Sequence, residues 1–124
     1  MFEITVRPPN SLVLVVTARD PEIPDSMHGE LVASTATCIA IGTLNELDGE
    51  TTIRLTSATA SDGEDTLRLV FERTLDNPSG FVRVVSVNGD VYIEQPSAGR
   101  SIPISIFAND STEPDIIVIE IPSD

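Results

Sequence analysis

Apolar side chains recur at every second position through most of this chain. That period fits strands with one buried face and does not fit an amphipathic helix. Phe2, Ile4 and Val6 alternate with Glu3, Thr5 and Arg7. Ile53 and Leu55 alternate with Thr52, Arg54 and Thr56, within a strand read from Thr51 to Thr59. Leu67, Leu69 and Phe71 alternate with Arg68 and Glu72, and Ile102, Ile104 and Ile106 form another face. Ile117, Ile119 and Ile121 do the same in a last strand from Asp115 to Ile121.

Other segments break the period in informative ways. Leu12 to Thr17 is apolar on both faces, as expected of a central strand. Leu31 to Leu44 mixes alanines with Thr35, Thr37, Ile39 and Ile41. The β-branched residues favour strand, in two segments that bend near Ser34. Pro21 and Pro24 exclude helix and sheet interior from the Asp20–Asp25 loop. Asn77-Pro78-Ser79-Gly80 reads as a turn. Asn88-Gly89, between Phe81–Val87 and Val91–Glu94, reads as a hairpin. Pro103 points to an edge or a strand start.

The expectation is an all-β fold: one domain over residues 1–124, an antiparallel β-sandwich of eight or nine strands, with a barrel as the alternative. The 124 residues are enough for a hydrophobic core without disulfide staples. The single cysteine, Cys38, lies in the apolar run Thr37–Ile41 and reads as a buried small hydrophobe. Residues Met1–Arg7 show no signal-peptide pattern, and no apolar run is long enough to span a bilayer as a helix. A cytoplasmic location is the default expectation.

The charge limits the partners. Twenty acids face seven bases, all arginine, for a net charge of −13. Such a field repels nucleic-acid phosphates and anionic membranes and attracts cations and basic proteins. Sparse aromatics, with no tryptophan, also argue against a stacking platform for single strands.

Catalytic groupings are missing from the pattern. His28, the only histidine, stands in Asp25-Ser26-Met27-His28-Gly29 without a nucleophile motif and reads as an exposed loop residue. One histidine and one cysteine do not make a transition-metal site, and the glycines are scattered rather than gathered in a phosphate loop. No enzyme and no cofactor are expected. Calcium is the one metal that the composition suggests. The carboxylates of Asp20/Glu22/Asp25, Asp62/Glu64/Asp65 and Asp110/Glu113/Asp115 stand in loops of the kind that supply hard-cation ligands, although none follows the EF-hand pattern. Asn109-Asp110-Ser111 matches a glycosylation sequon, discounted because nothing else points to secretion.

The run Glu72-Arg73-Thr74-Leu75-Asp76-Asn77-Pro78-Ser79-Gly80-Phe81-Val82-Arg83-Val84 reads as a turn-linked strand pair. Val91-Tyr92-Ile93-Glu94 and then Ala98-Gly99-Arg100 follow, before another alternating strand. In this order the chain resembles the second half of the competence-J-like (ComJ-like) small bacterial β-sandwich proteins. Ile39 to Thr43 and Gly49 to Leu55 are similar in layout to that family's paired middle strands. Where the family often enters a late strand on Pro-Gly-x-Tyr, this chain reads Ala98-Gly99-Arg100-Ser101. The resemblance implies a non-catalytic protein, the family's founder being a nuclease inhibitor, and it carries over no functional residues.

The leading expectation is therefore an acidic interaction module that binds a basic protein such as a nuclease. The alternatives are a structural protein that self-associates through terminal strands Phe2–Arg7 or Ile116–Ile121 as sheet edges, and a calcium-dependent binding module.

Overall fold

The computed structural model describes residues 2–57 and 67–122. Its strands are β1 (Phe2–Val6), β2 (Leu12–Val16), β3 (Val32–Ser34), β4 (Cys38–Gly42), β5 (Thr51–Thr56), β6 (Arg68–Asp76), β7 (Phe81–Ser86), β8 (Val91–Pro96), β9 (Ser101–Ala108) and β10 (Ile116–Glu120). They form two five-stranded sheets, in the orders β1-β5-β10-β9-β6 and β3-β4-β2-β7-β8. No helix among the described residues is long and apolar enough to cross a membrane.

The expected alternation builds the space between the sheets. Val13, Val15, Ile39, Ile41, Val82, Val84 and Ile93 point inward from the second sheet. They meet Ile53, Leu55, Leu75, Ile102, Ile104, Ile106, Ile117 and Ile119 from the first. The result is a two-layer sandwich with an aliphatic core, and the sheets do not close into a barrel.

Two details of the expected architecture are corrected. Among the described residues there are ten strands rather than eight or nine, and the two segments expected of Leu31–Leu44 fold back on each other as β3 and β4. The Thr35 N–H donates to the Cys38 carbonyl (2.8 Å). Ser34 then lies opposite Ile39, so the bend makes an edge strand, β3, beside β4. The sandwich is also not purely antiparallel, since β10 runs parallel to β5. β10 lies between β5 and β9, so Ile116–Ile121 is not a free edge; β1 is one.

Residues 77–80 form the expected turn, but the strands on either side do not pair with each other. β6 pairs with β9, while β7 pairs with β2 and β8 in the other sheet. Polar side chains hold this crossing. Thr17 Oγ1 donates to the Asp76 carbonyl (2.5 Å) and Ser79 Oγ to the Thr17 carbonyl (2.8 Å). Asn77, buried, donates from Nδ2 to the carbonyls of Ser97 (2.9 Å) and Gly99 (2.8 Å).

The Asn88-Gly89 hairpin forms as a three-residue loop. The Gly89 N–H donates to the Ser86 carbonyl (3.1 Å) and the Ser86 N–H to the Asp90 carbonyl (2.9 Å). Gly89 holds φ at 92°, where glycine has no Cβ penalty. Pro103 lies opposite Thr74 of β6. β10 pairs with β9 only from Ser105 onward, so the proline faces no strand on its other side.

Asn77→Ala removes both side-chain donors and strands two carbonyls. It is expected to cost about 2–4 kcal/mol, read as a lower urea midpoint with an unchanged slope. A loss within error of zero would show that the crossing does not depend on the Asn77 bonds.

Candidate functional site: the outer face of the second sheet

β2 is apolar on both faces because both faces are covered. Val13 and Val15 enter the inter-sheet core. Leu14 and Val16 point outward and form a second cluster with Cys38 and Ala40, against which Met27, Val85 and Val87 pack. The β2–β3 connection, residues 17–31, brings Met27 across this outer face.

Hydroxyl groups pin that connection to the β3–β4 turn. The Glu22 N–H donates to Thr37 Oγ1 (3.0 Å), and Thr35 Oγ1 donates to the Glu22 carbonyl (2.5 Å). At its far end a tight turn closes through the Glu30 N–H and the Met27 carbonyl (2.9 Å). His28 and Gly29 both have positive φ there, 52° and 76°, as a mirror-image turn requires. His28 is exposed, and the adjoining Ser26 Oγ accepts the His28 backbone N–H (3.0 Å).

The covering is incomplete. Between this loop and the β7–β8 hairpin runs a groove of about 360 Å³. Leu14, Val16 and Val85 are among the residues lining it, with Ile23 contributed by the loop and Val91 by the hairpin. Ile23 and Val91 are 46% and 54% exposed. Ile23 also lines a more polar cleft of about 440 Å³ on the loop's other side, together with Glu22, Asp25, His28 and Glu30. Arg83 stands in the groove wall, held by Glu94 across the β7–β8 pair (2.5 Å) and lying 5.6 Å from the Phe81 ring centre. Asp20, Glu22 and Asp25 are exposed along the loop and Asp90 at the hairpin. The site thus combines an apolar floor and two exposed aliphatic side chains with two arginines, Arg19 and Arg83, in its wall.

The carboxylates considered for calcium are placed differently. Asp62, Glu64 and Asp65 lie outside the described residues. Asp110 Oδ2 caps its own loop, accepting the N–H of Glu113 (2.7 Å), the N–H of Thr112 (3.1 Å) and the Thr112 hydroxyl (3.0 Å). These bonds, led by that from Glu113, hold its carboxyl below the usual carboxylate range. Asp115 Oδ1 accepts from Asn109 Nδ2 (2.6 Å), while Asn109 Oδ1 accepts the N–H groups of Asp115 and Ile116. The sequon asparagine is therefore used as a loop staple. Glu113 is exposed. Among the described residues, no three of His, Cys, Asp or Glu are grouped as metal ligands.

Sequence reasoning did not single out the groove. Its one signal was the two-sided apolarity of Leu12–Thr17, which requires a cover on the outer face. What provides the cover, and where it stops, depends on a loop whose composition reads only as irregular.

No protein-family model matches the sequence, and no curated protein matches it. The fold defines a small two-sheet β-sandwich with an apolar groove on the outer face of its second sheet. The chain is similar over its whole length to a solved structure, ComJ, inhibitor of the DNA degrading activity of NucA, from Bacillus subtilis. The TM-score is 0.68 at 10% identity, covering 100% of this chain and 96% of ComJ. The resemblance read from Glu72–Val84 and Val91–Glu94 therefore holds at the level of the fold.

Two outcomes follow for this face. Thr35→Val is expected to release the β2–β3 loop locally, raising protease cleavage within residues 18–28 while moving global stability by no more than about 1 kcal/mol. Unchanged cleavage would show that the Thr35 bond is not needed to hold the loop. Cys38 is fully buried, and burial pushes its thiol up to about 12. An unfolded thiol ionises near about 8.5. Its contribution is therefore intact below that pH and is lost as pH rises from there towards about 12, because the unfolded state gives up its proton first. Alkylation of Cys38 at pH 8 should accordingly track unfolding, and rapid labelling of the native protein would contradict this.

Proposed function

We propose that this chain is a non-catalytic inhibitor-type protein whose partner is a basic protein, a nuclease above all. The observation that carries the reading is the whole-length likeness of its fold to ComJ, an inhibitor of a nuclease's DNA-degrading activity. The net charge of −13 supports it, since a nuclease that holds DNA presents cationic surface. An acidic inhibitor competes for that surface and is steered to it by the same field. The exposed Asp20, Glu22 and Asp25 beside Ile23 offer charge for steering and an apolar anchor for affinity in one place.

The test is a DNA-degradation assay with NucA from Bacillus subtilis and with basic nucleases from the chain's own host, each mixed with this protein. Degradation is expected to slow at stoichiometric inhibitor. The association rate is expected to fall on the order of 10-fold or more as salt rises from dilute to several hundred millimolar. No slowing with any of these nucleases at large excess would overturn the reading. DNA cleavage by the chain alone would do the same.

A further inference from the structure

We propose that Leu47, at the tip of the β4–β5 connection, is an apolar anchor that enters a pocket on a basic partner, whose lysines or arginines then face Glu46 and Asp48. The inference rests on the reading above and adds to it the part of the surface used. It places the main anchor at Leu47 rather than at Ile23.

Leu47 is 88% exposed, against 46–54% for the other large exposed hydrophobic side chains among the described residues. A solitary exposed leucine is ordinary by itself. What sets Leu47 apart is that the backbone under it is fastened. Asn45 Oδ1 accepts the Leu47 N–H (2.8 Å), and the Asn45 carbonyl accepts the Asp48 N–H (2.8 Å), which closes a turn over residues 45–48. Arg7 donates to the Glu46 carbonyl (2.7 Å). At the base, the Thr43 N–H donates to the Ser11 carbonyl (2.9 Å) and the Leu44 N–H to the Pro114 carbonyl (2.9 Å). The tip is thus tied to two other connections, β1–β2 and β9–β10. A side chain presented on a fastened turn loses little further backbone freedom on binding.

Charge decides what kind of pocket receives it. Glu46 and Asp48 flank Leu47 in the chain, and Glu50 follows. Strand register places the β1–β2, β4–β5, β7–β8 and β9–β10 connections at one end of the sandwich. Asp48, Glu50, Asp90, Asp110 and Glu113 are exposed in them, and their one cation is Arg7, whose guanidinium is turned to the Glu46 carbonyl. Arg68, which opens β6 opposite Ala108, is the other cation towards this end. The loop and the hairpin share one field: the Tyr92 hydroxyl is pushed up by burial, then by Asp90 and, more weakly, by Glu46. An apolar tip among carboxylates disfavours a second copy of the same end, an anionic membrane and nucleic acid. It suits an apolar pocket with a cationic rim, and a nuclease surface that holds phosphates supplies the cations.

The test uses the whole protein and the nuclease that it slows in the assay above. Leu47→Ala, at an exposed position and with folding checked by melting temperature, is expected to weaken inhibition at least about 10-fold. Asn45→Ala, which frees the Leu47 N–H, should weaken inhibition although Leu47 is still present. Asn45→Asp keeps the acceptor and should restore it. Asp48→Asn should slow association at low salt and have less effect at high salt. Ile23→Ser and Leu69→Ser should each stay within about 5-fold of the unaltered protein.

Full inhibition by Leu47→Ala, or a larger loss from Ile23→Ser, would overturn the proposal and leave the inhibitor reading standing. Should no nuclease be slowed, the inhibitor reading falls and the anchor is tested by itself. A photo-reactive phenylalanine analogue in place of Leu47 is irradiated in host extract, with the same analogue in place of Leu69 as control, and the cross-linked peptide is sequenced. A cross-link specific to position 47, at an apolar site flanked by lysine or arginine, upholds the anchor. A cross-link to a second copy of this chain, or none above the control, overturns it.

Discussion

Everything in this fold follows from one constraint: inward side chains on every central strand must be aliphatic and must meet those of the opposing sheet. Ile53, Ile104, Ile106, Ile117 and Ile119 are essentially inaccessible to water, as are Val13, Val15, Ile39 and Ile41 facing them. Among the described residues the core contains no charged group and no fully buried aromatic ring, so its cohesion comes from burial of branched aliphatics and close packing. Branching at Cβ suits the extended backbone, which makes the same residues good for local structure and for packing. The buried polar residues lie at strand ends and in connections. Thr17 and Asn77 are the clearest cases, and both bond to backbone carbonyls there.

The second sheet carries an extra burden. Its outer face is also aliphatic at Leu14, Val16, Cys38 and Ala40, and a loop rather than a third layer has to cover it. A loop covers less completely than a sheet, because its own backbone must find donors and acceptors. Here Thr35 and Thr37 satisfy Glu22, and Met27 fills the space beneath. The gap left towards the hairpin is the groove. The same feature that makes β2 a good central strand thus leaves an apolar depression on the surface, with Arg19 and Arg83 in its wall.

This explains which parts could be read in advance. Strand faces, the two-sided character of β2, the bend near Ser34 and the Asn88-Gly89 hairpin depend on residues close in sequence. The parallel pairing of β5 with β10, and the separation of β6 and β7 into different sheets, depend on contacts between distant segments. Alternation fixes which side chains point inward but not which strand lies alongside. The groove is still less legible, since Ile23 and Val91 become neighbours of one depression only after the loop and the hairpin are both placed. The Asp110 loop shows the opposite case: carboxylates in a ligand-like spacing are engaged in capping their own turn.

The sheet edges bear on the choice between a foreign partner and self-association. β6 is the longest edge strand, and it is protected. A bulge between Leu69 and Phe71 breaks its register with β9. Lower down, the Asp76 N–H is taken by the Ala36 carbonyl, and Arg73 reaches across to Ser34 Oγ (2.8 Å). Antiparallel self-pairing centred on Glu72 would oppose Glu72 with its own copy, and pairing centred on Arg73 would do the same with Arg73. Like charges directly opposite each other are destabilising in a sheet. β3 has only three residues, too short to template a partner strand. β1 is the more regular edge, but Glu3 on it is tied to Arg54 of the same sheet (2.7 Å), and any second copy brings its own charge of −13. β8, the other edge of the second sheet, is six residues long and ends on Pro96, which has no N–H to offer a partner strand.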